Sequence, residues 1–232
     1  MPVRPADVEK TAFITHVGLF EMAKIPFGFC NAPSTYQRLM MSVLKGLIGR
    51  ICLAYLNDVI VFSKRRSEHV NDLRSVLDRI RKAGLKLKPT KCKLYCEQVL
   101  YLWHVISAAG VSPDPAKLSV LADWPLPITV LELQSFLGFV NFYSDFIDEQ
   151  TVLTSSLYDL TSSRKGTEPV HFSAEDIERF AELKRRLCVA PHLAHPNLKS
   201  PFTLYTDASK IAVGAVLLQR DAAGIERAIS FF

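Results

Sequence analysis

Apolar residues change their spacing several times along the chain, and each change predicts a new element. In residues 9–28, "EKTAFITHVGLFEMAKIPFG", short apolar runs flank His16-Val17-Gly18 and predict two strands around a turn. "APSTYQRLMMSVLKGL" then carries Tyr36, Leu39, Met40, Val43 and Leu44 at helical spacing. Pro33 suits its first turn, and Gly46 and Gly49 close it. "ICLAYL" and "VIVF" are β-rich runs separated by Asn57-Asp58, a pair that fits a two-residue hairpin turn. "SEHVNDLRSVLDRIRKAG" predicts an amphipathic helix with Val70, Leu73, Leu77 and Ile80 on one face and Gly84 as its stop.

The second half reads as short strands at "CKLY" and "VLYLWHVIS", with a turn at Ala109-Gly110. "SPDPAKLSVLADWPLP" predicts a helix capped by Asp114 with Pro115 at its first position. "VLELQSFLGFVNFYSDFI" is a second helical stretch, and polar "TSSRKGTEP" is the best linker candidate. "SAEDIERFAELKRRLC" starts with Ser173 three residues before Asp176, a carboxylate variant of the capping box. The final stretch, from Pro201 to Phe232, reads as three strands joined by turns.

Nearly half of the 232 residues are hydrophobic, enough to bury a core, and no apolar run reaches the roughly 20 residues of a bilayer span. The first ten residues hold no apolar segment of a signal peptide. Five scattered cysteines suit a reducing, intracellular setting better than a disulfide framework. Cys92 and Cys96 with His104 downstream lack a second pair at a fitting distance for zinc. The net charge of +5 gains meaning from its distribution: Arg79 to Lys93 holds seven Lys/Arg and no acid. Such a cluster can displace counterions from a phosphate backbone, and it also fits a solvated helix end.

Several stretches then agree in order: "IPFGFCNAPSTYQ", "YLND", "GLKLKPTKC", "YLWHVIS", "SFLGFVNFYSDFI" and "LYTDASKIAVGAVLLQ". Together they resemble the polymerase polyprotein of long-terminal-repeat retrotransposons of the gypsy type, from about Glu9 to Phe232. The resemblance implies an α+β fold: a right-hand polymerase palm and thumb, truncated at the N-terminus, followed by an incomplete RNase H-like α/β domain. The implied boundaries are 1–108 for the partial palm and fingers, 109–196 for thumb-like and connection helices, and 197–232 for the start of the RNase H-like part.

The same resemblance implies RNA-directed DNA synthesis by two-metal nucleotidyl transfer, with Mg²⁺ as cofactor and an RNA template with DNA primer, or an RNA–DNA hybrid, as partner. Phe27, Gly28, Asn31, Pro33 and Gln37 match the nucleotide and template pocket, Tyr55 a position near the primer terminus, and Lys86, Lys88 and Lys91 contacts to the nucleic-acid backbone. Asp58 matches the second aspartate of the family's hairpin pair, while Asn57 stands where the first, a metal ligand, is usual. Asp207 matches the first RNase H acid; Asp221 and Glu226 do not match the others. The strand bearing the upstream aspartate is expected to precede Met1. Mg²⁺ is held through carboxylates, so this chain is expected to be a catalytically inactive derivative. Two other readings stand beside that one, a non-catalytic nucleic-acid-binding module and a truncated gene model of an active polyprotein. Trp103 also departs from the family's usual glycine.

Overall fold

A computed structural model describes residues 1–26, 28–209 and 212–232, which divide into two compact units, Met1–Cys92 and Lys93–Phe232. The first unit is built around one hairpin. β3 (Cys52–Tyr55) and β4 (Asp58–Val61) pair antiparallel, with Cys52 opposite Val61 and Tyr55 opposite Asp58. The turn is therefore Leu56-Asn57, one residue earlier than the Asn57-Asp58 turn expected, and Leu56 carries φ +48°. Two helices cover the hairpin: α1 (Ala32–Val43) lies against β3 and α2 (Arg66–Lys82) against β4. Met40, Leu44, Cys52, Val76 and Ile80 form the buried centre. Burial pushes the Cys52 thiol above its ordinary range, so it packs as a small neutral side chain.

The buried face of α2 is rotated from the expected one. Val76 and Ile80 are buried, whereas Val70 and Leu77 are exposed. A smaller hairpin, β1 (Phe13–Thr15) with β2 (Gly18–Phe20), turns where the sequence indicates, and Phe13 stacks on Phe20 with ring centroids 5.9 Å apart.

In the second unit, β5 (Gln98–Tyr101), β6 (His104–Ser107) and β7 (Gly110–Pro113) form an antiparallel sheet. "VLYLWHVIS" is thus two strands, split at Leu102-Trp103, where both residues have positive φ. "CKLY" forms no strand. The split is braced by polar groups: the Tyr143 hydroxyl and the Asp114 amide both donate to the Trp103 carbonyl, at 2.9 and 3.1 Å, and His104 Nδ1–H donates to Leu102 O at 2.8 Å. Helices α3 (Pro115–Ala122), α4 (Val130–Phe142), α5 (Gln150–Asp159) and α6 (Ala174–Cys188) bury Leu133, Phe136, Leu137, Tyr143, Leu157, Leu183 and Leu187 among others.

The caps follow the sequence. Asp114 accepts from Ala116 N at 2.9 Å, and Ser173 and Asp176 exchange the reciprocal bonds of a capping box. Desolvation of Asp176 is outweighed by the Ser173 hydroxyl and amide, the Ser156 hydroxyl and Arg179, which leave its carboxyl below the usual range. "TSSRKGTEP" is held to α4: Val130 N donates to Glu168 O and Leu131 N to Gly166 O.

The chain then crosses back. Val111 and Leu193 exchange backbone hydrogen bonds of 2.8 and 2.9 Å, and His195 Nε2–H donates to Ser107 O at 2.7 Å. A second antiparallel sheet follows in the order β10 (Glu226–Phe231), β9 (Val213–Arg220), β8 (Thr203–Ala208). Ala228 and Phe231 pack on the helical core.

Candidate nucleotidyl-transfer site

The hairpin tip of the first unit brings together four of the residues singled out from the sequence, Gln37, Tyr55, Asn57 and Asp58. Tyr55 ends β3, half exposed, and faces Asp58 at the start of β4. Asn57 and Asp58 are both exposed. Gln37, from the middle of α1, reaches this tip through both ends of its carboxamide. Its Nε2 donates to Ala54 O at 3.1 Å, and its Oε1 accepts from Leu56 N at 2.6 Å. One side chain thus serves as an extra strand segment for the backbone on either side of Tyr55. It also holds Leu56 in a left-handed conformation that non-glycine residues adopt at a cost.

The remaining expected residues lie around α1 and beyond α2. Gly28 has φ +94°, a conformation suited to glycine, so the loop before α1 needs this residue for its backbone path. Asn31 precedes α1 without a side-chain cap, and Pro33 occupies the first turn. Phe27 lies outside the described residues. Lys86, Lys88 and Lys91 follow α2, exposed, and none has a carboxylate partner among the described residues. Asp207 belongs to the second unit, exposed on β8, where its Oδ1 accepts from the Ala208 amide at 2.9 Å. Asp221 is paired with Arg227 at 3.0 Å and Glu226 with Arg220 at 3.3 Å.

Sequence reasoning missed two parts of this arrangement. Leu56 is one, since its apolar side chain gives no sign that its backbone forms the turn. The other is a polar knot beneath β4, where Ser63 Oγ donates to Asp72 Oδ2 at 2.5 Å and lies 3.1 Å from His69 Nδ1. The hydroxyl hydrogen is committed to Asp72, so His69 is the donor in that contact. This knot ties the end of β4 to α2 and thereby fixes the strand that carries Asp58.

A two-metal centre needs several hard oxygen donors converging on one point. Among the described residues no group of three or more His, Cys, Asp or Glu converges in that way. The tip offers one carboxylate and one neutral carboxamide. This donor set does not fit two divalent ions.

Comparison with known proteins bears on what the hairpin is. Residues 1–106 match the family described as reverse transcriptase (RNA-dependent DNA polymerase). Residues 172–232 match the RNase H-like domain found in reverse transcriptase. The chain is 37% identical to the Retrovirus-related Pol polyprotein from transposon opus of Drosophila melanogaster, over 99% of this chain and 24% of that protein. It is 35% identical to the corresponding polyprotein from transposon gypsy of the same organism, over 92% of this chain and 21% of that protein. The chain therefore spans about a quarter of the length of the curated relatives it matches.

Among solved structures, the foamy viral protease-reverse transcriptase dRH in complex with double-stranded DNA superimposes with a TM-score of 0.85. That match has 24% identity and covers 100% of this chain and 40% of that one. The same viral enzyme in complex with an RNA/DNA hybrid gives a TM-score of 0.80 at 24% identity, over 99% of this chain and 31% of that one. The structural likeness shows a shared α+β fold, with reverse transcriptase followed by RNase H-like sequence. With the sequence matches, it places the chain in the reverse transcriptase family of gypsy-type long-terminal-repeat retrotransposon polyproteins.

Proposed function

We propose that the chain is the part of an RNA-directed DNA polymerase that holds a primer–template duplex, with a hairpin tip disabled for nucleotidyl transfer by Asn57. The observation that carries this reading is the tip itself, a braced hairpin that offers Asp58 alone where a pair of carboxylates is expected. Reverse transcriptases in general use divalent metal ions, and those ions stabilise the charge that develops as the phosphodiester forms. An asparagine oxygen supplies a dipole but no charge. Removing one preorganised electrostatic group costs about 10² to 10³ in turnover, so a loss at least that large is expected here.

Binding is a separate matter. Lys86, Lys88 and Lys91, which have no carboxylate partner among the described residues, are assigned to duplex phosphates, and Tyr55 and Gly28 to the primer end and incoming nucleotide. Binding of relatives to double-stranded DNA and to an RNA/DNA hybrid supports this choice of partner. Asp207 is assigned to the RNase H-like part as a single acid.

Primer extension on an RNA template tests the reading, in Mg²⁺ and in Mn²⁺, with a cooperative melt as the check on folding. The unaltered chain is expected to be silent; extension regained by Asn57→Asp assigns the defect to the hairpin, extension by the unaltered chain refutes that assignment, and silence from both folded proteins places the defect beyond Asn57. The binding half is tested by salt titration with an RNA–DNA hybrid. Replacing each of the three lysines by alanine should weaken binding and lower the salt slope by about 1. Binding indifferent to both salt and these lysines would dismiss the phosphate assignment.

A further inference from the structure

Five asparagines stand in the chain, and the fold treats them differently. Asn71 and Asn141 lie within α2 and α4. Asn31 leads directly into α1. Asn197 is engaged at both ends of its amide, Nδ2 donating to Ser200 Oγ at 2.8 Å and Oδ1 accepting from Lys199 N at 3.2 Å. What sets Asn57 apart is its place in a turn: Asn31 and Asn141 are also exposed with no side-chain hydrogen bond among the described residues, but both are tied into helix backbone. Asn57 is exposed in a two-residue turn, and its carboxamide has no hydrogen-bond partner among the described residues. The Gln37 brace stops at Leu56, and among the described residues the backbone that follows is next held at the pairing of Asp58 with Tyr55.

We propose that Asn57 is a site of spontaneous deamidation, which converts the tip from an amide–carboxylate pair into two adjacent carboxylates. The catalytic consequence rests on the function proposed above; the conversion itself does not. In the first step the backbone nitrogen of Asp58 bonds to Asn57 Cγ and gives its proton to solvent base. The Cγ–Nδ2 bond breaks and ammonia leaves, so a five-membered imide joins the two residues. Water then adds at one of the imide carbonyls. Opening on one side leaves aspartate at position 57, and opening on the other leaves isoaspartate, with the backbone running through the side-chain carbon. One water is consumed, one ammonia is released, and nothing is oxidised or reduced.

The chain contains its own control. Asn71-Asp72 is the same dipeptide as Asn57-Asp58, so the attacking residue is the same and the residues before, Val70 and Leu56, are both aliphatic; the main difference between the two is the fold. Attack requires the backbone after the asparagine to leave its regular pairing and rotate, and the frequency of that opening sets the rate. At Asn57 the opening releases the last pair of a two-stranded hairpin. At Asn71 it must break the interior of a 17-residue helix, where Asn71 Oδ1 also accepts from Arg74 at 3.3 Å.

The experiment holds the folded chain in mildly alkaline buffer and follows both peptides by mass spectrometry, resolving aspartate from isoaspartate. Asn57 should convert at least about tenfold faster than Asn71, equivalent to about 1.4 kcal/mol in opening free energy. In denaturant the two rates should converge. Equal rates in the folded chain, or Asn71 ahead, overturn the inference, as does a product at position 57 that is isoaspartate alone. Titration with Mn²⁺ alone then compares aged chain, Asn57→Asp, and Asn57→Gln, whose longer side chain resists closing the ring. Tighter Mn²⁺ binding by aged chain than by Asn57→Gln supports a carboxylate pair. No such gain, with Asn57→Asp binding well, overturns it. Confirmed conversion with no Mn²⁺ binding by Asn57→Asp leaves deamidation standing and removes the hairpin site proposed above.

Discussion

Replacing Gln37 by methionine keeps the length of the side chain and removes only its amide, which makes it a clean test of how the hairpin tip is held. Two hydrogen bonds disappear, to Ala54 O and from Leu56 N. At a net 0.5–1.5 kcal/mol each, their loss amounts to about 1–3 kcal/mol. Leu56, at φ +48°, also loses the contact that holds its strained backbone. The two compact units make a global melt a blunt probe, so amide hydrogen exchange is the better assay. The Leu56 amide should exchange roughly 10- to 100-fold faster in Gln37→Met, at a factor of ten per 1.4 kcal/mol. The amides of Val76 and Ile80, buried in α2, should hold their rates. Glutamate at position 37 separates the two bonds. Its carboxylate can still accept from Leu56 N but faces the Ala54 carbonyl without a proton, so acidification should restore the second contact. Unchanged exchange at Leu56 in Gln37→Met, with α2 intact, would refute the claim that this amide holds the tip.

Two further outcomes follow from the second unit. A Cβ on Gly110 would sit 2.2 Å from Leu193 O, and the residue has φ +135°, so Gly110→Ala should cost about 3 kcal/mol or more and lower the melting temperature sharply; a melt equal to the parent's would show that the β7–Leu193 approach is not tight. Hydrogen bonds from Arg185 and Arg186 hold the Glu182 carboxyl down at about 2, from an ordinary 4.5. A depressed folded-state value means that these contacts stabilise the unit above pH 4.5 and lose that contribution as pH falls toward 2. Glu182→Gln should flatten the fall in melting temperature across that window, and an identical pH profile for both proteins would refute the assignment.

Features set by local chemistry were legible in the sequence. The Asp114 cap and the Ser173–Asp176 box depend on residues within three positions of one another, and both form as read. The β1–β2 hairpin likewise turns where glycine permits it. The errors lie where tertiary contacts override local preference. Leu56, Leu102 and Trp103 adopt positive φ against their propensities, which moved one turn by a residue and split one expected strand. Helix α5, "QTVLTSSLYD", is rich in serine and threonine, weak helix formers, which masks it as a helix in the sequence. Gln37 could be singled out by resemblance, but its targets lie 17 and 19 residues away and no local pattern points to them.

The stitch between β7 and Leu193 bears on how the chain comes to be folded at all. Ser107 waits for His195, 88 positions later, and the neighbouring Val111–Leu193 bridge spans a similar stretch. At a synthesis rate of roughly 5–20 residues per second, that gap lasts about 4–18 s. Residues 1–92 leave the ribosome well before it closes, with both helices and the central hairpin of their core already present. Throughout the interval β7 remains an open edge, the kind of strand that pairs with whatever extended chain it meets. A growing polypeptide with such a delay has a moment when a chaperone, or another nascent copy, competes with its own distant segment for one strand.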